Sequence, residues 1–148
     1  MKKILVLFTT LLATTIANAV PNFWNLQIAQ GSYIYKISDT KNSSLEISCY
    51  LGSEIPRYQE LKVTHKSKTI QNTNKNTPLS FVIDDKQSFQ PLLKSGTYGD
   101  SREWNEFLTK LPKAKKIEVY RDNQFLFTVK PRNRGGEDIS TVDGCYIN

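Results

Sequence analysis

Trp104, Phe107, Leu108 and Leu111 recur at the i, i+3, i+4 and i+7 spacing that lines one face of an α-helix, and Pro112 forbids simple continuation. A lone amphipathic helix cannot shield such a stripe, so a sheet must lie beneath it. The following residues offer one. Ile117 and Val119 alternate with Lys116, Glu118 and Tyr120, and Phe125, Phe127 and Val129 alternate again beyond Arg121-Asp122-Asn123-Gln124. Residues 100–130 therefore predict a helix and a β-hairpin that form the core onto which the earlier chain docks. Asp100 or Ser101 is placed to cap the helix, with Glu103 reaching back to Asp100 and Glu106 pairing with Lys110 one turn on. In the hairpin, Val119 faces Phe127 and Ile117 faces Val129 only if the intervening loop is odd in length, which predicts a loop over Asp122 to Gln124.

Upstream, Trp24, Leu26 and Ile28 alternate with polar residues, and a turn at Gln30-Gly31-Ser32 leads into the second strand, Tyr33 to Ile37. Polar residues 39–44 connect this hairpin to a strand in which Leu45, Ile47 and Cys49 share the inward face. Gly52 to Pro56 interrupts the pattern, after which Leu61, Val63 and His65 form the next inward set. Lys66 to Pro78 has only Ile70 to bury and predicts a mobile loop or irregular edge. Phe81-Val82-Ile83 predicts a short buried strand ended by Asp84-Asp85. Ser88 to Gly99 reads as a connection with room for a strand around Leu92-Leu93. The expected fold is mainly β (α+β), an antiparallel β-sandwich or open barrel with one helix packed on it.

The chain starts with Lys2 and Lys3, a largely apolar run from Ile4 to Leu12, and Ala17-Asn18-Ala19, the pattern of a secretory leader cut after Ala19. The expected organisation is a signal peptide over 1–19 and a single disulfide-stapled domain over 20–148. The apolar run is too short to span a bilayer, so no membrane association is expected after cleavage. Cys49 and Cys145, the two cysteines, predict one disulfide in an oxidising compartment, periplasmic or extracellular in a bacterium. Two cysteines and one histidine are too few ligands for a metal site of their own kind, and no cofactor is expected.

The formal charge is +6, lowered by two if Lys2 and Lys3 leave with the leader. Lys113-Ala114-Lys115-Lys116 lacks the interleaved aromatics of a nucleic-acid binder and reads as a solvated corner between helix and strand. His65, the sole histidine, sits in register with Leu61 and Val63, as a hydrogen-bonded, half-buried side chain does. There is no Gly-x-Ser-x-Gly elbow, and the disulfide leaves no thiol nucleophile. Asp84-Asp85 and Glu137-Asp138 are neighbours in sequence whose side chains diverge in extended chain, so neither makes an acid–base pair. No catalytic residue is assigned. Arg132-Asn133-Arg134-Gly135-Gly136 places the Arg132 and Arg134 guanidinium groups beside flexible backbone, a candidate anion contact.

The inward cysteine of Leu45 to Tyr50, the Trp104-x-x-Phe107 helix leading to Lys115-Lys116-Ile117-Glu118-Val119, the strand Phe125 to Val129 and the run from Gly136 to Cys145 together resemble small exported bacterial proteins of the invasion-associated locus B and type VI secretion-associated VasI kind. The resemblance implies a non-enzymatic envelope protein connected with secretion or host interaction, acting on another protein through its surface. Ser95-Gly96-Thr97-Tyr98 is similar to the Ser-Gly-x-x-Tyr loop of periplasmic lysozyme inhibitors, one residue short of that spacing. It makes Ser95, Gly96 and Tyr98 candidate contact residues. An inhibitor or an immunity protein against a lysozyme or toxin is thus an alternative, and a small secreted hydrolase using His65 is another.

Overall fold

The computed structural model describes residues 20–50, 59–72, 78–91, 98–132 and 145, with backbone alone over 98–101. Five strands, β1 (Asn25–Ala29), β2 (Ser32–Ser38), β3 (Ser44–Tyr50), β4 (Gln59–His65) and β5 (Lys68–Gln71), form an antiparallel sheet in chain order. A second antiparallel sheet has the order β7-β6-β8-β9 and contains β6 (Leu79–Ile83), β7 (Gln87–Phe89), β8 (Ile117–Arg121) and β9 (Gln124–Val129). One helix, α1 (Tyr98–Lys110), runs into a 3-10 turn over Leu111–Lys113 before β8. Among the described residues the fold is mainly β with a single helix, as the hydrophobic periodicities predict.

Both sheets and the helix contribute to one core. Tyr35, Ile37, Leu45, Ile47, Cys49, Leu61 and Val63 enter it from the first sheet, and Phe81, Ile83, Ile117, Val119, Phe127 and Val129 from the second. All four residues of the helical stripe are fully buried. Phe107 packs between the rings of Phe81 and Phe89, at centroid distances of 5.0 and 5.7 Å. Trp104 Nε1 donates a hydrogen bond of 2.7 Å to the buried carbonyl of Cys145, whose side chain forms the disulfide with Cys49 on β3. The helix, the distant cysteine and the first sheet are thereby joined at one point.

Three hairpins turn on two residues, both in the left-handed region: Gln30-Gly31 (φ 50 and 71), Lys66-Ser67 (48 and 62) and Asp122-Asn123 (50 and 60). Positive φ at both positions gives the turn a twist that matches the flanking strands. Of the mobile loop or irregular edge expected after His65, the described residues show an edge, and a regular one: the chain turns at Lys66-Ser67 and folds straight back as β5. There Asn72 is buried, its Oδ1 accepting from Leu61 N–H at 3.3 Å and its Nδ2 donating to Pro91 O at 2.8 Å. In the last hairpin Ile117 pairs with Val129 and Val119 with Phe127, as expected, but the loop is not odd. Arg121 pairs with Gln124 across two residues, and the odd residue is absorbed by a bulge between Val119 and Tyr120, where Leu126 is extra.

The helix begins earlier than expected, so Asp100 and Ser101 fall inside its first turns rather than ahead of them. Glu103 accepts a hydrogen bond from the backbone N–H of Gln90, tying α1 to the end of β7. Glu106 and Lys110 form no ion pair within the described structure, in keeping with the small gain such exposed pairs bring. Pro112 sits at the start of the 3-10 turn, where its missing N–H costs nothing. The corner after it is anchored as well as solvated: Asp84 Oδ1 accepts from Lys115 and Lys116 N–H at 2.8 and 2.9 Å. The strand expected near Leu92-Leu93 and the breaker from Gly52 to Pro56 lie outside the described residues, as do residues 1–19.

Replacing Trp104 with Phe keeps most of the packing but leaves a buried carbonyl without its donor, and urea unfolding should show a loss of about 2 kcal/mol. At Gly31 an added Cβ meets Tyr50 only at 3.7 Å, so the cost of Gly31→Ala comes from its φ of 71. The same assay should report about 1 kcal/mol lost.

Candidate functional site: a groove beside His65

The turn before β3 is built by Asp39. Its Oδ1 accepts from the backbone N–H groups of Lys41 (2.7 Å) and Ser43 (2.8 Å), while its own N–H donates to Ser43 O (2.9 Å). Asn42 takes a left-handed conformation within it. The turn delivers Ser43, only 2% exposed, to the end of β4, where its Oγ lies 3.0 Å from His65 Nδ1. The imidazole stacks on Phe127 of β9, with ring centres 5.9 Å apart and planes within 9°. His65 is thus half-buried and held by a hydroxyl and a ring, as its register predicts.

Between the Asp39 turn, the His65-Lys66 corner and β9 runs a groove of about 510 Å³. Asn22 forms one end and clasps both sheets. Its N–H donates to Ser38 O (2.7 Å), while its Oδ1 and O accept from Lys130 and Arg132 N–H, each at 2.9 Å. Lys41, Lys66 and Lys130 line the groove, together with Phe125, 56% exposed. Asp39 is the one acid among the described lining residues, and its Oδ1 is committed to the turn. None of the three ammonium groups has an acidic partner among the described residues.

Three lysines outside the groove are paired with acids, while Lys68, Lys86, Lys110, Lys113 and Lys115 are, among the described residues, as unpaired as those of the groove but do not line it. Lys36 pairs with Glu46 and Lys62 with Glu60. Lys116 lies 2.7 Å from Asp85 and 2.8 Å from Glu118, hydrogen bonds that push its pKa upward. Tyr120 donates to Glu118 at 3.0 Å, and this bond to a carboxylate raises the phenol pKa too. In that cluster the ammonium is fully engaged by carboxylates and is not offered to an anionic ligand.

Of the residues singled out from sequence, Cys49 and Cys145 are bonded. Arg132 is exposed beyond β9, near the Asn22 clasp but not in the groove lining. Ser95, Gly96, Arg134 and the pair Glu137-Asp138 lie outside the described residues, and Tyr98 starts α1 without a described side chain. Sequence reasoning missed Asp39, Ser43 and the three groove lysines because they come from separate segments. The turn-forming composition of 39–44 marks a connection but not its neighbour across the fold. No group of three or more His, Cys, Asp or Glu gathers to hold a metal among the described residues.

Residues 22–136 match the YfjT family, a span that includes every strand, the helix and all groove residues. The chain belongs to the YfjT family. It is similar to two Escherichia coli K12 proteins, both named as uncharacterised: YfjT, 26% identical over 144 residues (95% of this chain, 92% of the relative), and YkfB, 23% identical over 139 residues (91% and 89%). No solved structure matches significantly. No helix among the described residues is long and apolar enough to cross a membrane.

The shifts at Lys116 and Tyr120 favour their protonated forms in the folded state. Their contribution to stability is complete below the ordinary values of 10.5 and 10.0 and is lost as pH rises through the raised folded ones. Ultraviolet titration should show Tyr120 ionising above the ordinary range, and Glu118→Gln should bring its ionisation down.

Proposed function

We propose that this member of the YfjT family is a non-enzymatic binding protein, exported to the periplasm or beyond, whose groove beside His65 takes an acidic segment of a partner protein. The observation that carries this is the convergence of Lys41, Lys66 and Lys130, none paired with an acid, around the exposed ring of Phe125. Unpaired cations attract a complementary chain and set its orientation, and an aromatic side chain in the same groove supplies apolar contact. Three lysines are far short of the phosphate contacts from which nucleic-acid binders draw affinity, which favours a protein partner. Export is supported by the leader-like start and by the Cys49–Cys145 bond, which persists in oxidising compartments.

A hydrolase built on His65 has less support. A serine nucleophile must reach its substrate, and Ser43 is buried; the third member of such a group must orient the imidazole, and Asp39 Oδ1 holds backbone N–H groups instead. Inhibition of a lysozyme or toxin would be one form of the binding reading, and the secretion or host-interaction role implied by the resemblance another.

The test is capture from a periplasmic extract by immobilised protein, beside the variant K41E/K66E/K130E. The wild type should retain a partner that elutes with rising salt, and the variant, with an unchanged circular dichroism spectrum, should bind it at least about tenfold more weakly. Equal retention by both would overturn the groove assignment.

A further inference from the structure

Histidine is the side chain whose ordinary change of charge falls between about pH 5 and 8. The only histidine of the chain, His65, lines the groove beside Lys41, Lys66 and Lys130. Its surroundings suit both the neutral ring and the imidazolium. Nδ1 lies 3.0 Å from Ser43 Oγ, and a hydroxyl can donate to the neutral ring or accept from the protonated one by turning its own hydrogen, which a carbonyl cannot do. Ser43 is held in place meanwhile, its N–H donating to Asp39 Oδ1 and its carbonyl accepting from Asp39 N–H. The parallel ring of Phe127, with its centre 5.9 Å away, attracts a cation placed over its face. With Nδ1 accepting from Ser43, the hydrogen of the neutral ring sits on Nε2, which has no partner among the described residues. A carboxylate in the groove therefore meets a donor in both states of the ring and a cationic donor in one of them.

We infer that His65 is a fourth, proton-dependent cation of the groove, so that protonating it tightens the hold on an acidic segment; this rests on the function proposed for the groove above. The charges facing the ring set the direction. Lys41 on the Asp39 turn, Lys66 at the corner, Lys130 just beyond β9 and Lys68, opposite His65 on β5, are ammonium groups that oppose a further positive charge. Asp39 is the one carboxylate lining the groove with it among the described residues, and its Oδ1 is spent on backbone N–H groups. An acidic segment laid in the groove answers these cations together and lowers the cost of protonating the ring. By linkage, the protonated ring holds the segment more tightly in equal measure. Binding is therefore strongest below the range in which histidine titrates and weakens as pH rises through it, a range in which lysines ordinarily stay charged.

The probe is a penta-aspartate peptide, whose carboxylates stay ionised above about pH 5. In isothermal titration calorimetry the purified protein should bind it at least about threefold more tightly at about pH 5.5 than at about pH 8. His65→Gln, with an unchanged circular dichroism spectrum, should bind at both values with the weaker affinity that the wild type shows at the higher pH. A second measurement needs no variant. The sole histidine gives a single ring C2 proton resonance, and adding the peptide at about pH 7 should move it toward the imidazolium position. Equal wild-type affinity at both values, a pH dependence that survives in His65→Gln, or a resonance unmoved by bound peptide would each overturn the role of His65 and leave the lysine groove standing. No binding of the peptide at either pH would overturn both.

Discussion

The contact on which the architecture turns is the one between the Trp104 indole and the carbonyl of Cys145. Trp104 is the largest fully buried side chain, and an indole N–H in an apolar interior needs an acceptor. The backbone of Cys145 supplies it, and the Cys49–Cys145 bond fixes that backbone to the middle of the first sheet. One residue of the helix therefore satisfies its polarity, caps the disulfide and sets the depth at which Phe107 meets Phe81 and Phe89. Without this arrangement the helix would lose its polar tie to the first sheet.

The groove arises at the opposite kind of junction, where polar groups substitute for packing. Asn22 spans from Ser38 to Lys130 and Arg132, and the Ser43–His65–Phe127 stack closes the sheets beside it. Backbone hydrogen bonds and a commitment of Asp39 to its own turn leave the nearby ammonium groups without local acids. The resulting field belongs to the arrangement of loops, since no short stretch of sequence contains more than one of these lysines at the groove.

What the sequence made legible follows from periodicity. The spacing of Trp104, Phe107, Leu108 and Leu111, the alternation of Leu45, Ile47 and Cys49, and that of Leu61 and Val63 each name a face that is buried. Parity in the last hairpin showed that one residue must be surplus, but a bulge and a longer loop satisfy the same count. Lys66-Ser67 was illegible because neither residue advertises a left-handed backbone, so β5 looked like a mobile loop or an irregular edge rather than a paired strand. Asp100 and Ser101 are good caps by residue type, yet the helix starts ahead of them. The groove was hidden for a different reason: its residues meet only through contacts between the two sheets.

The disulfide also has a consequence in time. Its cysteines are 96 residues apart, and a ribosome adding about 5 to 20 residues per second makes the first available on the order of ten seconds before the second. Through that interval the Cys49 thiol must wait unpaired. Trp104 likewise lacks its acceptor until Cys145 has been made. Strand pairing between sequence neighbours can proceed early, but the tie between helix and first sheet forms only once Cys145 has appeared.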